Sequence, residues 1–129
     1  MYSVNVDFKS RKPIYDQLVD GFCDLILRGV MHPGEQLPSV RALSAELGIN
    51  PNTIQKAYAE LERRGVTYCV STKGSFVEEN LIPLNEKFAA EQRANLIKAV
   101  KSCILAEISQ DEMIQIVKEL TEENTNGEN

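Results

Sequence analysis

The stretch Ser39-Val40-Arg41-Ala42-Leu43-Ser44-Ala45-Glu46-Leu47-Gly48-Ile49-Asn50-Pro51-Asn52-Thr53-Ile54-Gln55-Lys56-Ala57-Tyr58 contains two helix starts separated by one helix stop. Ser39 is placed to cap a helix through Val40, Leu43 and Leu47, because its hydroxyl can accept from an N–H that the first turn leaves unpaired. Gly48 ends that helix. Asn50 offers a second cap, and Pro51 suits a first helical position, where a missing N–H costs nothing. Ile54, Ala57, Tyr58 and Leu61 then recur at three- and four-residue steps, so the next helix runs to about Arg64 and stops at Gly65. Two short helices joined by a glycine-containing turn of about three residues predict a helix-turn-helix.

Beyond Gly65, the β-branched and aromatic run Val66 to Val70, the turn Ser71-Thr72-Lys73-Gly74 and the resumption Ser75-Phe76-Val77 predict a hairpin, and with it a winged helix. Before Ser39, Pro13 opens an amphipathic helix carrying Ile14, Leu18, Phe22, Leu25 and Ile26 as far as Gly29, and His32-Pro33-Gly34-Glu35 makes a turn. Tyr2, Val4, Val6 and Phe8 alternate, which predicts a short extended strand leading into the basic residues Lys9, Arg11 and Lys12.

Glu78-Glu79-Asn80 and Pro83 mark a boundary. Leu84, Phe88, Leu96, Val100 and Ile104 follow along one face of a long helix, widened by Ile97, Leu105 and Ile108. Ser109 and Glu112 form a capping-box pair opening a short helix through Met113, Ile116, Val117 and Leu120, with a frayed polar tail from Thr121 to Asn129. The expected architecture is mainly α with a small β-hairpin: a winged helix-turn-helix over 1–80 and two C-terminal helices over 81–129.

Composition narrows the function classes. The 129 residues are 43% hydrophobic and 26% charged, which suits one folded domain or one small domain with an appendage. A net charge of −5 argues against a generally polybasic surface. Up to residue 80 there are 9 basic and 10 acidic residues, against 5 and 9 afterwards, so the acidity gathers in the C-terminal part. A local positive face from Arg11, Lys12, Arg41, Lys56 and Lys73 is expected. Cys23, Cys69 and Cys103 lack CxxC pairing and predict neither a disulfide framework nor a zinc site. One histidine, His32, offers little for a triad or metal cage. No nucleophile–base pair, phosphate loop or metal spacing appears, so no catalytic residue, metal or cofactor is expected. No apolar run approaches a membrane span and no secretory signal precedes the first helix, so a cytoplasmic protein is expected.

The chemistry expected of a helix-turn-helix is groove reading. The residues aimed at double-stranded DNA are Asn50, Asn52, Thr53, Gln55 and Lys56 on the recognition helix, Arg41 one helix earlier, and Lys73 with Gly74 in the wing. Asn and Gln pair bidentately with adenine edges, Lys56 reaches guanine or phosphate, and Thr53 does either. Lys73-Gly74 suits a minor groove, where glycine permits close backbone approach. The plainer alternatives are a solvated helix face, a surface ion pair at Arg41 and a bare exposed turn. Ile54, Ala57, Tyr58 and Leu61 face inward.

Taken together, Leu37-Pro38-Ser39-Val40-Arg41, Leu43-Ser44, Leu47-Gly48, Asn50-Pro51-Asn52-Thr53-Ile54, Ala57-Tyr58, Leu61-Glu62, Gly65 and Lys73-Gly74-Ser75-Phe76-Val77 resemble the GntR family of bacterial transcriptional regulators over roughly residues 10 to 79. The opening Lys12-Pro13-Ile14-Tyr15-Asp16-Gln17-Leu18, Pro51-Asn52-Thr53 and the short C-terminal part resemble its YtrA subfamily. The resemblance implies DNA contacts from Arg41, Asn50, Asn52, Thr53, Gln55, Lys56 and Gly74. By the same resemblance, its targets would be its own operon and a neighbouring ABC-transporter operon. Many family members with large effector domains carry arginines where Pro51 and Gln55 stand, so their operator preference does not transfer.

The 49 residues after Asn80 are too few for the family's large effector domains. Two amphipathic helices cannot bury their stripes alone, so they are expected to pack on the winged helix and on a second copy, with Phe88, Leu96, Val100 and Ile104 at a homodimer interface. The alternative is a hairpin of the two helices within a monomer. A two-fold dimer implies an inverted-repeat operator. A small-molecule effector is compatible with the family, yet no convergent polar set identifies its site. The competing function is a winged-helix protein-interaction module, which an apolar exposed face on the recognition helix would favour.

Overall fold

The computed structural model describes residues 4–127, with side chains through residue 123. Five helices and one hairpin follow in order: α1 (Ile14–Leu27), α2 (Val40–Leu47), α3 (Pro51–Arg63), β1 (Thr67–Val70), β2 (Gly74–Val77), α4 (Ile82–Leu105) and α5 (Gln110–Gly127). They form two compact units, one up to Glu86 and one from Lys87 onward. Among the described residues no helix is long and apolar enough to cross a membrane.

The first unit is built on α1, α2 and α3. Leu18, Val19, Phe22, Met31, Ile54, Ala57, Leu61, Val66 and Val77 are wholly or almost wholly removed from solvent and form one apolar core. At roughly 1.5–3 kcal/mol for each large side chain fully buried, this core is the main stabilising term. Phe22 of α1 meets Tyr58 of α3 edge to face, with ring centroids 5.7 Å apart. The Tyr58 hydroxyl donates to the Pro38 carbonyl at 2.7 Å, joining α3 to the residue before the α2 cap. Burial lifts the Tyr58 phenol above its ordinary pKa, so that hydroxyl stays protonated and able to donate.

Each helix end has a physical cause. The Ser39 hydroxyl accepts from the Ala42 N–H at 3.0 Å, and Gly48 leaves α2 in the left-handed conformation at φ +67°. Asn50 Oδ1 accepts from the Asn52 N–H at 2.8 Å, with Pro51 at the first position of α3. Pro13 precedes α1 as its cap residue, at ψ 146°, rather than occupying its first turn. Pro83, expected as a boundary, instead lies inside the first turn of α4, where an N–H has no partner to lose.

Two further expectations need correction. No strand forms over residues 4–8, and Tyr2 lies outside the described residues. Val4 instead inserts beside Gly21, where a Cβ on the glycine would stand 2.8 Å from a Val4 methyl, while Phe8 stays 64% exposed. Gln17 then ties this arm to α1: its Oε1 accepts from the Asp7 N–H at 2.8 Å, and its Nε2 donates to the carbonyls of Asp7 and Lys12. A strand needs a neighbouring strand, and the arm is instead tied to α1 through Gly21 and Gln17.

The turn His32-Pro33-Gly34-Glu35 forms, with the Glu35 N–H donating to the His32 carbonyl at 3.0 Å, and residues 34 to 37 have a further role that the sequence does not show. They run beside β2, with the Leu37 N–H donating to the Ser75 carbonyl and the Val77 N–H to the Glu35 carbonyl, and Gln36 bridging Phe76. The second correction is that α5 continues to Gly127 instead of fraying after Leu120. It starts where the sequence indicates, with the Ser109 hydroxyl accepting from the Glu112 N–H at 3.1 Å.

Candidate nucleic-acid interface

The arrangement of α3 follows from its sequence spacing. Ile54, Ala57, Tyr58 and Leu61 turn into the core, so the intervening Asn52, Gln55 and Lys56 are left on the exposed side, with Thr53 half-buried between them. The N-terminal turn of α3 has its N–H groups engaged by Asn50, the Asn52 N–H on the side-chain oxygen and the Thr53 N–H on the carbonyl, and it presents the positive end of the helix dipole, which suits an anionic backbone. Its outward face is polar.

Asn50 is exposed, and its amide oxygen is already engaged in capping α3. Arg41, the second residue of α2, is exposed and forms no ion pair among the described residues. Lys56 lies with its Nζ 3.9 Å from the centroid of the Tyr15 ring on α1. Of the five cations expected to make a positive face, Lys12 is the exception: it pairs with Asp20, whose hydrogen bond raises the lysine pKa. Arg11, Arg41, Lys56 and Lys73 form no ion pair among the described residues.

The wing is a two-stranded antiparallel sheet with Thr67 opposite Val77 and Val70 opposite Gly74. Tyr68 and Phe76 stack across it at 5.7 Å. Gly74 is therefore the first residue of β2 and not the apex; Ser71, Thr72 and Lys73 make the turn. Thr72 sits at φ +68° and Gly74 at φ +113°, the latter a conformation that favours glycine. Lys73 is exposed, with its carbonyl accepting from Gln36 Nε2 at 2.6 Å.

Two residues with a place at this surface were not singled out from the sequence as site residues: Tyr15, under Lys56, and Gln36, behind the wing tip. Tyr15 is spaced like a core residue of α1, and Gln36 lies in a stretch with no periodicity. In each case the pairing spans dozens of residues.

The expected interface residues on α4 are all exposed: Phe88 at 42%, Leu96 at 59%, Val100 at 37% and Ile104 at 60%. Ile97, Leu105, Ile116, Val117 and Leu120 are exposed as well. None of the described side chains from Lys87 onward is buried.

Residues 14–77 match the family model described as bacterial regulatory proteins, gntR family. The chain is 43% identical over 77 residues to the HTH-type transcriptional repressor YtrA of Bacillus subtilis, spanning 60% of this chain and 59% of that protein. It is 35% identical over 118 residues to the HTH-type transcriptional regulator YhcF of the same organism, spanning 89% of this chain and 95% of that one. Among solved structures, a GntR family transcriptional regulator from Listeria monocytogenes superposes with a TM-score of 0.71 at 34% identity, covering 87% of this chain and 98% of that one. The DNA-binding domain of AraR, solved in complex with operator ORX1, superposes with a TM-score of 0.54 at 27% identity, covering 60% of this chain and 99% of that one.

Proposed function

The chain belongs to the gntR family of bacterial regulatory proteins, transcription regulators rather than enzymes, with a DNA-binding winged helix, and on that footing we propose that it is a homodimeric repressor of an inverted-repeat operator. Asn52, Thr53 and Gln55 enter the major groove, Arg41 and Lys56 flank them, and Lys73 with Gly74 brings the wing to the adjacent minor groove. The observation that carries this reading is the division of α3 into a buried inner side of Ile54, Ala57, Tyr58 and Leu61 and a polar outer side with a capped, exposed N-terminus. A protein-docking helix would show apolar side chains there instead.

The dimer rests on a different observation. From Lys87 onward none of the described side chains is fully buried and only Ala89, Cys103, Ile108 and Met113 are half-buried, although the helices carry many large apolar side chains. A helix pair in that condition gains little stability alone, and a second copy supplies the missing partner for Phe88, Leu96, Val100 and Ile104. The winged helix and the C-terminal helices act here as reader and dimeriser, 1–80 and 81–129. Repression is extended from the relative named as the repressor YtrA, and the targets, its own operon and a neighbouring ABC-transporter operon, from the resemblance to the YtrA subfamily.

The test is fluorescence anisotropy on the duplex upstream of the chain's own gene against a scrambled duplex, at two salt concentrations. Preferential, salt-dependent binding is expected. In Gln55→Ala it should weaken by about 1–3 kcal/mol, with relaxed preference at one base position. Equal binding to both duplexes overturns the operator reading.

A further inference from the structure

Among the described residues, Lys56 is the one cation of the reading surface held over a ring. Its ammonium lies 3.9 Å from the Tyr15 centroid, within the range at which a cation is attracted to an aromatic face. Tyr15 is the second residue of α1, half-buried and packed against the core, so its ring is a fixed platform rather than a mobile arm. Lys56 stands one turn beyond Asn52 on α3, on the flank turned toward α1. A lysine stem free in solvent samples many rotamers and loses that freedom on binding; one already seated loses less.

We propose that Tyr15 is a positioning residue for DNA: it seats Lys56 at the α1 flank of the recognition helix, so that Lys56 meets a backbone phosphate and not a base edge. The proposal rests on the DNA-binding reading above and assigns one of its residues. Seated on α1, the ammonium is drawn back from the groove floor, where Asn52 and Gln55 are aimed. Arg11, exposed just before α1, adds a second cation at the entry to that helix. A phosphate contact contributes to affinity on every sequence and appears in the salt dependence, whereas a base contact appears in sequence preference.

The experiment compares Tyr15→Leu, Tyr15→Phe, Lys56→Ala and the double variant Tyr15→Leu/Lys56→Ala, on the upstream duplex and on the scrambled one, across a salt series. Tyr15→Leu and Lys56→Ala should each lower the slope of log affinity against log salt by about one, on both duplexes. The double variant should lose the same single step, and Tyr15→Phe, which keeps the ring, should retain the wild-type slope. A wild-type slope in Tyr15→Leu, a loss of about two in the double variant, or altered preference at one base position in Lys56→Ala overturns the proposal. Should Tyr15→Leu fail to fold, NMR of the wild type decides it: Lys56 ε-methylene protons over the ring are shifted upfield, and unshifted protons overturn the seating. Equal wild-type affinity for both duplexes overturns the operator reading alone, because the slopes still report the phosphate contact. No binding to either duplex overturns both.

Discussion

The side-chain amide of Gln36 donates to the backbone carbonyl of Lys73 at 2.6 Å, across 37 positions of sequence. The same nitrogen lies 3.2 Å from where a Cβ on Gly74 would be. The wing tip is thus held from behind by the segment preceding α2, which also pairs with β2. Replacing Gln36 by Ala removes one exposed hydrogen bond, and a stability loss of about 0.5–1.5 kcal/mol is expected in denaturant titration. DNA affinity should fall with it, since the wing gains freedom that binding must remove. Unchanged affinity at intact folding would separate the wing from the DNA surface.

Thr72 occupies the left-handed region at φ +68°, where a β-branched side chain is strained. Thr72→Asn should raise stability by on the order of 1 kcal/mol, because asparagine tolerates this conformation. Thermal unfolding checks this, and a lower midpoint would show that the threonine has compensating contacts.

Asn50 has two assignments, as the cap of α3 and as a DNA contact. Asn50→Ala should cost about 0.5–2 kcal/mol of stability through the lost cap, whereas Asn50→Ser should cost little. Operator affinity of Asn50→Ser then isolates the second role. A stable serine variant that binds as tightly as the wild type confines Asn50 to capping.

Glu60 accepts from Arg63 Nε at 2.9 Å and from Arg64 Nε at 3.3 Å. The hydrogen bond from Arg63 is the main reason its carboxyl is held down to about 2, with Arg64 adding to it. A carboxylate depressed in the folded state contributes stability above its unfolded pKa and loses it as pH falls toward the folded value. Wild-type stability should therefore decline between about pH 4.5 and 2 more steeply than that of Glu60→Gln. Parallel acid limbs in the two proteins would count against the effect.

Charge placed on the uncovered face of α4 tests the dimer. Leu96→Glu and Val100→Glu should convert the protein to a monomer in light scattering, with the winged helix still folded by circular dichroism. Dimers that persist in both variants place the interface elsewhere.

Much of this molecule is legible in its residues. Ser39, Gly48, Asn50 and Pro51 announce their helix ends because each acts on a neighbour within a turn, and local chemistry is what sequence spacing records. The recognition face of α3 follows from the period of Ile54, Ala57, Tyr58 and Leu61 alone. The failures share the opposite cause. Alternation at Val4, Val6 and Phe8 suggests a strand, but the neighbour is a helix. Gln36 and Tyr15 acquire their places from Lys73 and Lys56, far along the chain. The continuation of α5 to Gly127 runs through polar residues that carry no apolar period.

Gly21 lies inside α1, where alanine would be favoured over glycine by roughly 0.5–1 kcal/mol. Its bare Cα leaves the slot that Val4 fills, and a single added methyl closes that slot at 2.8 Å. Positions 4 and 21 are consequently bound to change together. A lineage that acquires alanine at 21 must trim position 4 to a smaller residue or release the arm, and with it the Gln17 clasp on Asp7. Paired substitution at these two sites among related chains would be the evolutionary trace of the slot.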